Sequence, residues 1–200
     1  MLNVYLLRHG ETEWNADGNR YCGRTDIPLT KKGIFQAEQL HYQLSDIAFD
    51  AIYSSPLKRA LRTAQIASGK NQVINDERLI ELDFGNWEGE TKEEFIVENP
   101  ALWDSWCNDP GTTNAGGTGE TANEVVKRVN NFFEFVLKKF PFGNILVVGH
   151  NGINRFYLAF KLGMQLKNYR RLVQENSSIT MFGLDPLSSE LSLKLLNSKL

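Results

Sequence analysis

Two apolar runs of strand length, Asn3-Val4-Tyr5-Leu6-Leu7 and Ile145-Leu146-Val147-Val148, constrain the fold more than any other feature of the chain. Neither alternates between apolar and polar residues, so each reads as a strand buried on both faces, as in a parallel sheet covered by helices. Both runs stop at a histidine. The first continues into Arg8-His9-Gly10 and the second into Gly149-His150-Asn151-Gly152. In open α/β sheets the carboxyl edge of the strands is where ligands bind. One histidine at such an edge is usually structural, but two of the chain's three, each followed within two residues by glycine, point to a site. At the first edge, Gly10 is expected to let the backbone turn sharply and approach a ligand closely.

Between these strands the chain alternates strand-like and helical segments. The stretch from Glu13 to Pro28 is rich in Gly, Asn and Asp and reads as a long functional loop carrying Asn15, Arg20 and Arg24. Thr30 caps a helix whose apolar stripe is Ile34, Ala37, Leu40 and Leu44, with His41 beside it as a surface or packing residue. Asp50 to Ser55 is a second strand. Pro56 is then expected at the first position of a helix capped by Ser55 and running to Ala67. Arg59 and Arg62 would lie in its first two turns, beside free N–H groups that favour an anion.

Glu81 sits between Ile80 and Leu82 ahead of the turn Phe84-Gly85-Asn86-Trp87-Glu88-Gly89. It either alternates out to solvent or is held in a semi-apolar pocket with a raised pKa, which would suit a proton donor. Thr91-Lys92-Glu93-Glu94 is a capping box for a short helix, and Leu102, Trp103 and Trp106 mark another. Residues 108–119 are rich in Gly, Thr and Asn and predict a mobile loop, either a lid or a linker. A long amphipathic helix follows, with Val125, Val126, Val129, Phe132, Phe133 and Val136 turned to the core. A helix from Ile153 to Leu162, a basic surface segment over 167–172 and an antiparallel edge hairpin of 178–182 with 191–195 complete the chain. The expected architecture is a single domain over residues 1–200, a three-layer α/β/α sandwich around a mostly parallel sheet.

A net charge of -2 gives no electrostatic reason to expect nucleic acid or an anionic membrane as partner. Positive charge for an anionic ligand must therefore be concentrated locally. Two cysteines without metal-ligand spacing, an amino terminus that runs straight into a strand and the lack of a long apolar span predict a cytoplasmic chain with reduced thiols. Whether it forms a homo-oligomer is open.

Two imidazoles, Arg8, Arg59 and one carboxylate suit a tetrahedral dianion. Arginines grip phosphate oxygens bidentately, and a neutral imidazole can attack phosphorus to give a phosphohistidine. Arginines and the second histidine would stabilise the transferring group, and Glu81 is the best candidate to protonate the leaving alkoxide. No aspartate cluster of metal-ligand kind accompanies them, so neither metal nor other cofactor is expected.

Leu7-Arg8-His9-Gly10-Glu11-Thr12 with Trp14-Asn15, Ser54-Ser55-Pro56-Leu57-Lys58-Arg59-Ala60, Glu81 with Phe84-Gly85 and Trp87-Glu88-Gly89, and Gly149-His150-Asn151-Gly152 resemble the histidine phosphatase superfamily, which includes cofactor-dependent phosphoglycerate mutases. The resemblance implies that His9 is the phosphorylated nucleophile, that Arg8, Arg59 and His150 form the phosphate pocket, and that Glu81 is the acid and later the base. It offers Asn15, Cys22, Gly23 and Asn151 as substrate contacts. The short chain and the Phe84 to Gly89 turn look most like the α-ribazole phosphatases, so the implied partner is a small phosphorylated metabolite. Mutases of the family carry a basic segment after the acid-bearing turn. Here Glu88 to Glu98 is acidic, with Lys92 its only cation. Cys22 also stands where the mutases usually have threonine. A phosphoglycerate mutase is the rival enzyme, and a catalytically idle binding module is the rival from another class.

Overall fold

Side chains of the first strand leave it in alternating directions, and this divides the interior into two cores. The computed structural model describes residues 1–199. In β1 (Leu2–Arg8), Leu2, Val4 and Leu6 enter one core and Leu7 the other; in β4 (Gly143–Gly149), Ile145 and Val147 join the first and Leu146 and Val148 the second. Burial on both faces is what the unalternating runs require. With β2 (Ala51–Ser54), β3 (Ile74–Asn75), β5 (Ile179–Leu184) and β6 (Leu191–Ser198) they form one sheet of order β3-β2-β4-β1-β5-β6. The first four of that order are parallel, and the β5/β6 hairpin adds antiparallel pairs beside β1.

Helices α2 (Lys31–Leu44) and α3 (Lys58–Ser68) cover one face. The other is covered by α6 (Ala122–Lys139) and α7 (Asn151–Lys161), so the three-layer sandwich stands as read from the sequence. Thr121 and Glu124 cap α6 reciprocally, and all six apolar residues assigned to its inner stripe are buried. Short helices α4 (Lys92–Glu98) and α5 (Pro100–Asn108) bring Phe95, Trp103 and Trp106 against Trp87. Among the described residues, no helix is long and apolar enough to cross a membrane. Cys22 and Cys107 are both free.

Four local expectations change. The loop after His9 begins with a short helix, α1 (Glu13–Ala16), because Thr12 and Asn15 cap each other. Helix α3 begins at Lys58 rather than Pro56. The Ser55 hydroxyl accepts from Leu57 N at 3.3 Å, while the Lys58 N–H is satisfied from outside the segment by Asp26 Oδ1 at 2.7 Å. That anion position is thus taken by Asp26, and Arg62 borders a separate surface depression with Pro28 and Leu29. The 108–119 segment is packed into the fold rather than left as a free loop. Its 3-10 turn, Ala115–Gly117, is wedged beneath the Phe84 to Trp87 turn, with Gly116 (φ 57) so close to Phe84 O that no side chain fits. Finally, Leu166–Arg171 forms a 3-10 turn that buries Tyr169, so the basic segment is not a plain surface element.

Candidate active site

Parallel register brings the two histidines together. Arg8 pairs with Gly149, so the next residues, His9 and His150, leave the sheet side by side. His9 N donates to Gly149 O at 3.2 Å, and the two ring centroids lie 5.0 Å apart. The Nδ1 atom of His9 is 2.7 Å from Gly10 O. A carbonyl can only accept, so Nδ1 carries the proton and Nε2 keeps its lone pair. His150 is fully buried, and neither ring nitrogen has a protein partner among the described residues. The glycine after His9 serves a different end from the one expected. A Cβ on Gly10 would lie 2.5 Å from Gly33 O, so the close approach is to the backbone at the start of α2, not to a ligand.

Burial, then the Arg59 and Arg8 charges, hold His9 well below the usual imidazole range. Burial and Arg59, then His9 itself, do the same to His150. Both are neutral in the folded chain at pH values where an unfolded imidazole is protonated. The unfolded state therefore takes up more protons below about pH 6.5, and stability is full above that value and lost as pH falls beneath it. The two together make the unfolding free energy fall as pH drops below about 6.5, each by at most about 1.4 kcal/mol per pH unit. Urea titrations across that window test this, and His150→Gln is expected to remove about half the slope. A slope unchanged in that variant contradicts the assignment.

Arg8 is 8% exposed, donates from Nη1 to Gln174 O at 2.7 Å, and is pushed down to about 10 by burial and then by Arg155, so it remains a cation at neutral pH. Arg59 comes from the first turn of α3 and is fully buried, donating to Thr25 O at 2.7 Å and Gly23 O at 2.6 Å. Neither makes an ion pair among the described residues. Buried cations without a counter-ion are costly unless a ligand supplies one.

Glu81 points inward rather than out to solvent. It is 5% exposed. One carboxylate oxygen accepts from Gly152 N at 3.0 Å and the other from Ile153 N at 3.1 Å and Leu82 N at 2.9 Å. The amino end of α7 thus holds a side-chain carboxylate. Gly152 makes room for it, since a Cβ there would stand 2.7 Å from Oε1.

The Glu81 loop is held from behind. Arg128 on α6 donates from Nη1 to Arg78 O at 2.8 Å and Ile80 O at 2.6 Å, and pairs with Glu120 through Nε and Nη2, both at 2.9 Å. Glu120 in turn accepts from Asp83 N at 3.1 Å. Arg128→Ala takes the donor from three carbonyls, those of Arg78, Ile80 and Glu81, and one of its cationic partners from Glu120, and is expected to cost about 3 kcal/mol in urea unfolding. A loss under about 0.5 kcal/mol, the range of ordinary surface changes, would show that the clamp is idle.

In front of these groups lies a cavity of about 190 Å³, bordered by Arg8, His9, Asn15, Cys22, Glu81 and Asn151. Arg59 and His150 are fully buried and are not among its lining residues. Gly23 stands back from its wall, with its carbonyl held by Arg59. Arg20 reaches the rim but is engaged by Asp17 and Glu94, each at 2.7 Å, and Arg24 is turned to Glu120 at 3.1 Å. Among the wall residues that escape a reading of the sequence are Arg155, Tyr169 and Arg170, with Asn19 and Tyr21. Asn151 and Arg155 are four apart on α7 and share a face, which is the signal that could have found Arg155. Among the described residues no group of three or more His, Cys, Asp or Glu is placed to hold a metal ion.

The family model of the histidine phosphatase superfamily (branch 1) matches residues 4–197. Phosphoserine phosphatase 1 of Hydrogenobacter thermophilus is 36% identical over 187 residues, covering 92% of this chain and 88% of that protein. The adenosylcobalamin/alpha-ribazole phosphatase of Escherichia coli is 34% identical over 168 residues, with coverage of 82% and 80%. Among solved structures, a phosphoserine phosphatase mutant from Entamoeba histolytica in complex with phosphoserine superposes with a TM-score of 0.89 at 32% identity, covering 99% of this chain and 98% of that one.

Proposed function

The chain belongs to the histidine phosphatase superfamily and is a phosphoric monoester hydrolase, and from that premise we propose that residues 1–200 act as one domain that hydrolyses a small phosphorylated metabolite through a phosphohistidine, without a metal ion. The observation that carries this reading is the tautomer of His9. With Nδ1 tied to Gly10 O, its Nε2 lone pair faces a cavity flanked by uncompensated guanidinium groups.

In the first step Nε2 attacks phosphorus and the P–O bond to the alcohol breaks. The departing oxygen takes a proton from Glu81, so the alcohol leaves neutral. Arg8, Arg59 and the ring of His150 receive the charge on the three equatorial oxygens. In the second step water attacks the phosphohistidine, Glu81 takes a proton from it, and inorganic phosphate leaves as the P–N bond breaks. Asn15, Cys22, Gly23 and Asn151 border or flank the alcohol. Support for the choice of alcohol is divided between the relatives, since α-ribazole 5'-phosphate is uncharged at its far end and phosphoserine is not.

Turnover in chelator, combined with rapid quench of enzyme mixed with ³²P-labelled substrate, tests the mechanism. The expected result is phosphate release that survives chelation and an acid-labile, alkali-stable phosphoenzyme. Isomerisation of 3-phosphoglycerate without net phosphate release would overturn hydrolysis in favour of a mutase. Absence of any turnover across a broad panel would favour the idle binding module.

A further inference from the structure

Beyond the phosphate pocket, the cavity has a second cationic wall that the hydrolytic steps do not use. Arg155 projects from α7, and its one hydrogen bond among the described residues runs from Nε to Asn151 O at 3.1 Å. Arg170 comes from the 166–171 turn and is held by its faces, 4.5 Å from the Trp103 ring centroid and 4.7 Å from that of Tyr169. Arg155 lies 4.9 Å from the same Tyr169 ring, which is itself stacked on Phe156. Stacking fixes the planes of both guanidiniums and leaves their N–H edges free. The Arg170 guanidinium meets the Tyr21 hydroxyl and, from Nη1 at 3.8 Å, Cys107 Sγ, and its buried Nη2 has no partner among the described residues.

Charge balance says what these edges await. Arg8, Arg59, Arg155 and Arg170 converge on a site whose one buried carboxylate is Glu81, and none of the four has a carboxylate within 4.0 Å among the described residues. A phosphate monoester dianion leaves positive charge uncompensated whether or not Glu81 carries the proton it gives to the leaving oxygen. We propose that Arg155 and Arg170 form a second anion subsite for a carboxylate on the alcohol half of the substrate, so that the favoured substrates are small phosphorylated hydroxy or amino acids. The cations missing from Glu88 to Glu98 are thus supplied from later in the chain.

The proposal rests on the phosphatase reading of the same site, and two substrate pairs separate the two. O-phosphoserine and O-phosphoethanolamine differ only in the carboxylate; 3-phosphoglycerate and glycerol 3-phosphate differ in carboxylate against hydroxymethyl. In the wild type, kcat/KM is expected to favour the acid of each pair by about 10- to 100-fold, mainly through KM, the range of a hydrogen-bonded charge pair. In Arg170→Gln and in Arg155→Lys that ratio is expected to fall towards one, whatever happens to the absolute rates. Equal turnover within each pair, or a ratio untouched in both variants, overturns the subsite while leaving the hydrolase intact. Calorimetric titration of His9→Ala with the same pairs needs no turnover. Equal affinities there overturn the subsite even in a chain that hydrolyses nothing.

Discussion

Replacing His9 by alanine is expected to lower kcat by about 10³- to 10⁵-fold on every phosphomonoester and to abolish the labelled phosphoenzyme. The residual rate reflects what remains. Arg8, Arg59 and His150 still surround the phosphate and still stabilise attack by water, but no nitrogen is left to split the transfer into two steps. Because His9 is a neutral, buried ring, the variant also relieves the burden of an imidazole that cannot protonate. Its stability should therefore fall less steeply below about pH 6.5 even as activity vanishes. Quenched-flow counting of covalent phosphate is the deciding measurement. A stoichiometric phosphoenzyme persisting in His9→Ala would place the nucleophile elsewhere.

Glu81→Gln should divide substrates by their leaving group. Alkyl phosphates need a proton on the departing oxygen, and their turnover is expected to fall by about 10²- to 10⁴-fold. p-Nitrophenolate leaves without help, so with p-nitrophenyl phosphate the first step should survive and only the second, which needs the base, should stall. Stopped-flow traces should show a burst of nearly one nitrophenolate per chain followed by slow turnover. The substitution is not isosteric in its bonding. Both oxygens of Glu81 accept backbone N–H groups, so an amide must turn its NH₂ towards one of them, and a stability loss of about 1–3 kcal/mol should accompany the kinetic change. Rates within about threefold of wild type on both substrate types would remove Glu81 from the chemistry.

What can be read from the sequence is whatever periodicity and strand ends encode locally. The two histidines are visible because each terminates a run that only a doubly covered strand explains, and the α6 stripe because its apolar positions repeat at the helical period. Whether Glu81 faces in or out is not, because its immediate neighbours are equally compatible with both. What decides it is the amino end of α7 and the gap at Gly152, 71 residues away. The start of α3 is misread for a similar reason: a local serine and proline pattern loses to Asp26, a cap donated from a distant loop. Residues 108–119 look like a lid because glycines suggest freedom. In the fold they are there because two backbones press together, Gly116 against Phe84 and Gly119 against Asp83. Arg170 is hidden in a segment whose composition says only that it is basic.

β1 is the first strand to be made and among the last to find its neighbours. It lies between β4 and β5, whose residues are 143–149 and 179–184, and Arg8 is anchored by the carbonyl of Gln174. At ordinary translation speeds the segment Leu2 to Leu7 waits on the order of ten seconds for its first neighbour, with both apolar faces and both backbone edges unclaimed. During that interval it is an apolar segment with unpaired edges, the kind that is prone to aggregate. No shorter product of early termination can assemble the His9 and His150 pair.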